Sequence, residues 1–222
     1  VRWKSSVKGS MVFPDEFIPF AEKYGYIEKL GDRVIELACK ELRKFIDAGY
    51  STNVSVNISA KQLESFRVVD VIMDNLEKYN IPANLFQIEL TETAVAKDSA
   101  IVKKILSTLR SCGIKVNLDD FGKGESSLFL LSETEIDILK IDKSFIDKIH
   151  TPKGYALLQG IISSAKGLEL DIVAEGVETQ EQLDIIKRLD IEQGQGYLYS
   201  RPIPATDFLA LLEKEHKKSN AI

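Results

Sequence analysis

The chain has 222 residues, of which 44% are hydrophobic and 28% are charged, and its formal net charge at pH 7 is −5. This composition suits one large domain with a sizeable core. The sequence has no apolar run of about eighteen residues, which excludes a membrane-spanning helix, and its first residues lack the apolar segment of a signal peptide. The negative charge argues against binding to long nucleic acid. We therefore expect a cytoplasmic domain, or the cytoplasmic part of a larger, membrane-attached protein.

Amphipathic helical patterns recur along the chain. They predict helices over residues 31–49, 59–80, 98–113, 151–168, 178–190 and 204–218. Ser59 and Asp98 are predicted to begin the second and third helices, while Gly49 and Gly113 are predicted to end the first and third. Cys39, in the first helix, is expected to be a buried free thiol.

Short apolar runs rich in Val and Ile separate these helices and predict β-strands. Polar residues close the runs: Asn57, Glu89, Asp119 with Asp120, Lys140, Glu175 and, more weakly, Gln195. The alternation of strand and helix predicts an α/β fold with a parallel sheet, a TIM-like (β/α) barrel. About six strands are visible, whereas a complete barrel typically needs about 250 residues. We therefore expect a single domain over residues 1–222 that lacks its first strand and most of the second, with a frayed tail at 215–222.

A parallel barrel gathers the C-terminal ends of its strands into one ring above a packed core. The ring then holds hard oxygen donors, whereas the histidines and cysteines fall elsewhere; this pattern favours Mg²⁺ or Mn²⁺ over zinc. The adjacent Asp119 and Asp120 make a two-ion site feasible, and Lys140 is suited to hold a nucleophilic water or a phosphoryl oxygen. Taken singly, each carboxylate is more often a cap or turn residue and the lysine an ion-pair partner.

Six motifs, in this order, resemble those of the EAL domain family. They are SVNIS with Asn57, ELTE with Glu89 and Glu92, DDFGKGESS at 119–127, LKID from Leu139, AEGVET from Ala174 and QGYLYSRP from Gln195. The stretch FPDEFIPFAEKYG from Phe13 adds to the resemblance, which covers nearly the whole chain. Each motif is weak by itself, but the ordered series is specific.

The resemblance implies a phosphodiesterase that opens cyclic di-GMP to linear pGpG with two Mg²⁺ or Mn²⁺ ions. It assigns metal ligation to Asn57, Glu89, Asp119, Asp120 and Glu175, with Asp120 as a ligand of the second ion. It also makes Glu175 the general base and Lys140 the lysine that contacts the water. A homodimer and an upstream sensory or signalling domain are further implications of the family.

The resemblance also assigns residues around the ring. Arg2 and Gln195 match substrate-binding positions, and the supporting positions are Glu92, Glu178, Gly122 and Gly124. Two departures stand out: the EAL tripeptide with its glutamate would lie directly before Val1, and Lys123 and Glu125 replace the usual Thr and Tyr of the loop after Asp120. We expect that loop to be less ordered or differently anchored than in typical relatives, with Lys123 pairing with Glu92 or Glu125.

Two alternatives stay open at this point. The altered loop favours a catalytically silent module that binds cyclic di-GMP or a protein partner, whereas the retained ligand positions favour the enzyme. Another metal-dependent barrel enzyme, such as an enolising lyase, would use similar carboxylates and a lysine, and only the ordered motifs argue against it.

Overall fold

The computed structural model describes residues 3–4, 10–95, 99–123 and 128–219. Its centre is a six-stranded parallel sheet in which the strands follow one another in chain order. These strands are β3 (Val54–Asn57), β4 (Phe86–Thr91), β5 (Lys115–Phe121), β6 (Ile138–Ile141), β7 (Asp171–Glu175) and β8 (Gln193–Gln195). A separate antiparallel pair joins β1 (Trp3–Lys4) to β2 (Met11–Val12).

Helices precede, connect and follow these strands. They are α1 (Pro14–Lys23), α2 (Ile27–Asp47), α3 (Arg67–Lys78), α4 (Glu92–Val95), α5 (Ala100–Ser111), α6 (Leu128–Glu133), α7 (Lys143–Ile146), α8 (Pro152–Gly167), α9 (Gln180–Arg188) and α10 (Ala205–Ser219). Single 3-10 turns lie at Gln62–Glu64 and Ala83–Leu85. The sheet curls, with the helices outside it, which confirms the predicted TIM-like α/β architecture.

The core lies between the strands and the inward faces of the helices. In α2, Ile35, Cys39 and Leu42 recur at helical spacing and are fully buried. In the sheet, residues such as Val116 and Leu139 are also fully buried. Their Val, Leu and Ile side chains fit a parallel sheet that is covered on both faces. Polar residues follow this apolar packing at the C-terminal ends of the strands.

Two predicted helix starts differ from the structure. The second helix begins at Arg67 instead of Ser59, and a 3-10 turn lies between them. The Ser59 hydroxyl accepts from the backbone N–H of Lys61 at 3.3 Å and donates to Glu22 Oε1 at 2.5 Å, but the residues that follow form only the 3-10 turn. The third helix begins at Ala100, and Asp98 lies outside the described residues.

The predicted helix ends are confirmed where glycine was expected to stop them. Gly49 and Gly113 have φ of +86° and +90°, the left-handed conformation that ends helices at glycine. The last helix extends to Ser219 and so overlaps the tail that was expected to fray from residue 215. No helix in the described ranges is both long and apolar enough to cross a bilayer.

Candidate active site

Parallel pairing brings the predicted polar residues to one end of the sheet. Asn57 lies opposite Glu89 across β3 and β4, and Glu175 lies opposite Gln195 across β7 and β8. Three strands continue a little further than predicted, because β4, β5 and β6 extend past Glu89, Asp120 and Lys140. The polar side chains therefore lie in the last few residues of their strands, and not always on the final one.

A backbone irregularity lets Asp119 and Asp120 serve the same site. Successive residues of a regular strand point to opposite faces of the sheet. Here the register between β5 and β6 shifts between Leu118 and Phe121, and Asp120 adopts a φ of +58°. A bulge of this kind redirects side chains, and carboxylate oxygens of Asp119, Asp120 and Glu175 come within 4.8 Å of one another.

Lys140 is the centre of the site. Its Nζ lies 2.8 Å from Glu89 Oε1, 3.0 Å from Asp119 Oδ1 and 2.8 Å from Glu175 Oε1. The residue is only 5% exposed, and a buried ammonium is tolerated in a protein when it is paired in this way. Three strands thus direct their carboxylates at one cation.

The electrostatics of this cluster affect both Lys140 and Glu175. Burial lowers the pKa of Lys140, but the charges of Glu89, Glu175 and Asp119 outweigh burial and raise the pKa above its ordinary value. Burial raises the pKa of Glu175, and its attraction to Lys140 offsets only part of that rise. Lys140 therefore stays charged, while Glu175 is a better proton acceptor than an exposed glutamate.

A second polar layer lies directly beneath the carboxylates. Ser55, Gln87 and Asn117 each precede a predicted ligand by two residues and so share its face of the sheet. Asn117 Nδ2 donates to Gln87 Oε1 at 3.0 Å, and Ser55 Oγ donates to the same oxygen at 3.2 Å. Sequence reasoning missed this layer, although the pattern of a polar residue two positions before each ligand could have revealed it.

The donor set fits a hard divalent cation. Asp119 Oδ1 is close to Lys140, yet it is a buried oxygen that receives no well-aligned hydrogen bond from any described residue. Asn57 Nδ2 donates to Glu89 Oε2 at 2.9 Å. The Asn57 side-chain oxygen is the atom of that amide that can act as an acceptor. Carboxylate and amide oxygens of this kind are the ligands that Mg²⁺ and Mn²⁺ prefer.

Gly122, directly after β5, is fixed by two contacts. Glu92, at the start of α4, accepts a hydrogen bond of 2.7 Å from the backbone N–H of Gly122. Gly122 has a φ of +105°, and a Cβ at this position would overlap the ring of Phe145. Glycine is therefore required at position 122 for both its backbone conformation and the close approach of α7.

Lys123 pairs with two carboxylates at the site, Asp120 and Asp142, whereas its predicted partner Glu125 lies outside the described residues. Its Nζ lies 2.5 Å from Asp120 Oδ1 and 3.2 Å from Asp142 Oδ2, while Glu92 bonds to Gly122. The hydrogen bond to Asp120 raises the pKa of Lys123 to about 12. Asp142 is buried and caps α7 by accepting from Ser144 N–H at 2.9 Å. The sequence reasoning did not single out Asp142, although it follows Lys140 by two residues.

The remaining predicted residues lie around the ring or outside the described residues. Glu178 forms an ion pair with Lys143 of α7. Gln195 ends β8 with an exposed side chain, and its carbonyl accepts from Val177 N–H at 3.0 Å. The predictions for Arg2, Gly124 and Glu125 concern residues outside the described part of the chain.

Comparison with known proteins gives the same family as the motifs. The family model described as EAL domain matches residues 1–202. Signaling protein YkoW of Bacillus subtilis is 41% identical over 201 residues, which are 90% of this chain and 25% of that protein. Cyclic di-GMP phosphodiesterase NbdA of Pseudomonas aeruginosa is 39% identical over 216 residues, 96% of this chain and 27% of the relative. The chain thus spans about a quarter of the length of these relatives.

A solved structure extends the similarity to three dimensions. The PaMucR phosphodiesterase in complex with c-di-GMP superposes with a TM-score of 0.86 at 34% identity, covering 93% of this chain and 84% of that one. The fold, the order of the motifs and the family match agree over nearly the same residues. The chain belongs to the EAL domain family.

Proposed function

We propose that this chain hydrolyses cyclic di-GMP to linear pGpG with two Mg²⁺ or Mn²⁺ ions. The observation that carries the proposal is the ion-paired Lys140, held by Glu89, Asp119 and Glu175 beside the carboxylate of Asp120. Related proteins in support include NbdA, which is named a cyclic di-GMP phosphodiesterase, and PaMucR, whose structure contains c-di-GMP. The family assignment favours this reaction over that of another metal-dependent barrel enzyme.

Each residue of the site has a role in this reaction. The ions would be held by Asn57, Glu89, Asp119, Asp120 and Glu175, and when bound they supply positive charge that stabilises the attacking and leaving oxygens. Glu175, with its raised pKa, accepts a proton from the attacking water. Lys140 orients that water and neutralises charge on the phosphoryl oxygens.

The bond changes balance for a simple hydrolysis. The water oxygen forms a bond to one phosphorus, and the bond from that phosphorus to the ribose O3′ breaks. The freed 3′ oxygen takes up a proton, so that the ring opens to a dinucleotide with a 5′-phosphate. Glu175 returns its proton to solvent at the end of the cycle, and no redox partner is required.

A second candidate is a silent module that binds cyclic di-GMP or a protein partner. The observation in its favour is Lys123, whose ammonium lies 2.5 Å from Asp120, a residue proposed to hold the second ion. A homodimer and an attached sensory domain remain predictions, and the share of the relatives that the chain covers is consistent with further domains in those proteins.

Chromatography of the reaction products separates the two candidates. The chain is incubated with cyclic di-GMP and Mg²⁺, Mn²⁺ or Ca²⁺, with the Asp119→Asn variant as the control that removes a ligand. We expect pGpG with Mg²⁺ or Mn²⁺ and little with Ca²⁺, because Ca²⁺ prefers more ligands at longer distances. Binding of intact nucleotide with no product after long incubation with Mn²⁺ would establish the silent module instead.

A further inference from the structure

Lys123 lies between two carboxylates that belong to different elements. It follows β5 by two residues, and its Nζ contacts Asp120 Oδ1 at 2.5 Å and Asp142 Oδ2 at 3.2 Å. The Lys123 side chain is 57% exposed, whereas that of Asp142 is 7% exposed. The lysine therefore reaches inward from the surface and places its charge on a partly buried acidic group.

The contact with Asp120 places this ammonium at the proposed metal cluster. Carboxylate oxygens of Asp120, Asp119 and Glu175 lie within 4.8 Å of one another. Such a group of like charges requires counter-ions, and Lys140 supplies one positive charge that is shared by Glu89, Asp119 and Glu175. Lys123 supplies the counter-ion for the remaining carboxylate, Asp120.

Asp142 provides a second, fixed partner for the same ammonium. It is held in place as the N-cap of α7, because its Oδ1 accepts from Ser144 N–H at 2.9 Å. The backbone beside Lys123 is also fixed, since Gly122 packs against Phe145 and donates to Glu92. The flexible stem of Lys123 can thus release Asp120 while its ammonium stays on Asp142.

We propose that Lys123 is a built-in competitor of the second divalent cation. In the metal-free protein Lys123 neutralises Asp120, and a cation that binds Asp120 displaces the ammonium onto Asp142. The lysine therefore lowers the affinity of the site for the second ion while it stabilises the metal-free protein. This inference rests on the proposed two-ion function, and it concerns how readily the site fills.

Mn²⁺ titration of matched variants tests this competition. Lys123→Met removes the charge and keeps most of the side-chain stem, whereas Lys123→Arg keeps the charge. The matched control is Lys115→Met, which removes a half-exposed lysine that pairs with Asp171 at the opposite end of β5. Calorimetry gives affinity and stoichiometry, and the paramagnetic resonance of free Mn²⁺ counts unbound ions. Melting temperatures are recorded with and without Mn²⁺. Asp119→Asn identifies the heat that belongs to the site.

We expect Lys123→Met to bind one Mn²⁺ at least about tenfold more tightly than the unaltered chain, as removal of a unit charge close to a dication implies. The same variant should have a lower melting temperature than the unaltered chain without metal, and Mn²⁺ should raise its melting temperature by more. Lys123→Arg and Lys115→Met should bind Mn²⁺ like the unaltered chain.

Three other results would overturn the inference. Equal Mn²⁺ affinity in Lys123→Met and the unaltered chain, with binding lost in Asp119→Asn, would reject the competition and leave the proposed metal site standing. Equally tight binding by Lys123→Arg and Lys123→Met would show that charge is not the cause. No Mn²⁺ binding by any variant would reject both the metal site and the competition.

Discussion

Removal of the Lys140 ammonium should destabilise the metal-free protein strongly. In the Lys140→Met variant, Glu89, Asp119 and Glu175 would repel one another with side chains that are only 12%, 15% and 16% exposed. Loss of one partner from a buried ion pair costs about 3–5 kcal/mol. In a domain of this size each kcal/mol lowers the melting temperature by about 2–4 °C, so a fall of roughly 6–20 °C is expected.

Denaturant unfolding in a metal chelator measures this loss directly. The matched control is Lys115→Met, whose ion pair with Asp171 has side chains that are 46% and 51% exposed and should contribute less than about 1 kcal/mol. Adding Glu175→Gln to Lys140→Met removes one of the repelling charges. We expect the double variant to recover at least about 1 kcal/mol relative to the sum of the single effects.

Two results would contradict this reasoning about Lys140. A Lys140→Met variant that unfolds at the same denaturant concentration as the unaltered chain would show that the three carboxylates do not depend on the ammonium. Additive effects of Lys140→Met and Glu175→Gln would show that the two side chains are not coupled, in conflict with their separation of 2.8 Å.

Glu175→Gln should lower turnover of cyclic di-GMP about 10²-fold or more with an unchanged circular dichroism spectrum; full activity would remove Glu175 from the general-base role. Gly122→Ala should lower the free energy of unfolding in denaturant by about 2–4 kcal/mol, because of the positive φ at position 122 and overlap of the new Cβ with Phe145. Gly160→Ala, at an open helical position, should have little effect. Equal effects of the two substitutions would contradict this packing. Burial raises the pKa of the Cys39 thiol to about 11. The neutral thiol therefore contributes its full stabilisation below the pKa of the thiol in the unfolded chain, and that stabilisation is lost as pH rises from about 9 to 11. The difference in unfolding free energy between the unaltered chain and Cys39→Ala should therefore shrink by up to about 3 kcal/mol over that interval. A difference that stays constant would show that burial does not raise the pKa of this thiol.

The sheet and the ring of carboxylates could be predicted from the sequence because both depend on local pattern. Apolar runs that end in Asn57, Glu89 or Glu175 indicate buried parallel strands, and such strands place their ends together whatever the details of packing. The bulge at Asp119 and Asp120 was not predictable in this way, since it arises from the register with β6.

The parts that sequence reasoning missed depend on tertiary contacts. Ser59 has the chemistry of a helix cap and accepts from Lys61 N–H, but its hydroxyl also donates to Glu22 of α1 and the next α-helix begins only at Arg67. Lys123 was expected to pair with Glu92 or Glu125, and the prediction did not include Asp142, which the approach of α7 brings within 3.2 Å. Helical or strand periodicity carries no information about which neighbouring element supplies a partner.

Hydrolysis in ¹⁸O-labelled water tests the proposed reaction most directly. The chain is incubated with cyclic di-GMP and Mn²⁺, and the product is analysed by mass spectrometry, with Glu175→Gln as the matched variant. We predict linear pGpG that carries one ¹⁸O in its 5′-phosphate, formed far more slowly by the variant. Recovery of only unlabelled cyclic dinucleotide, bound but unchanged, would contradict the assignment of this site as a phosphodiesterase centre.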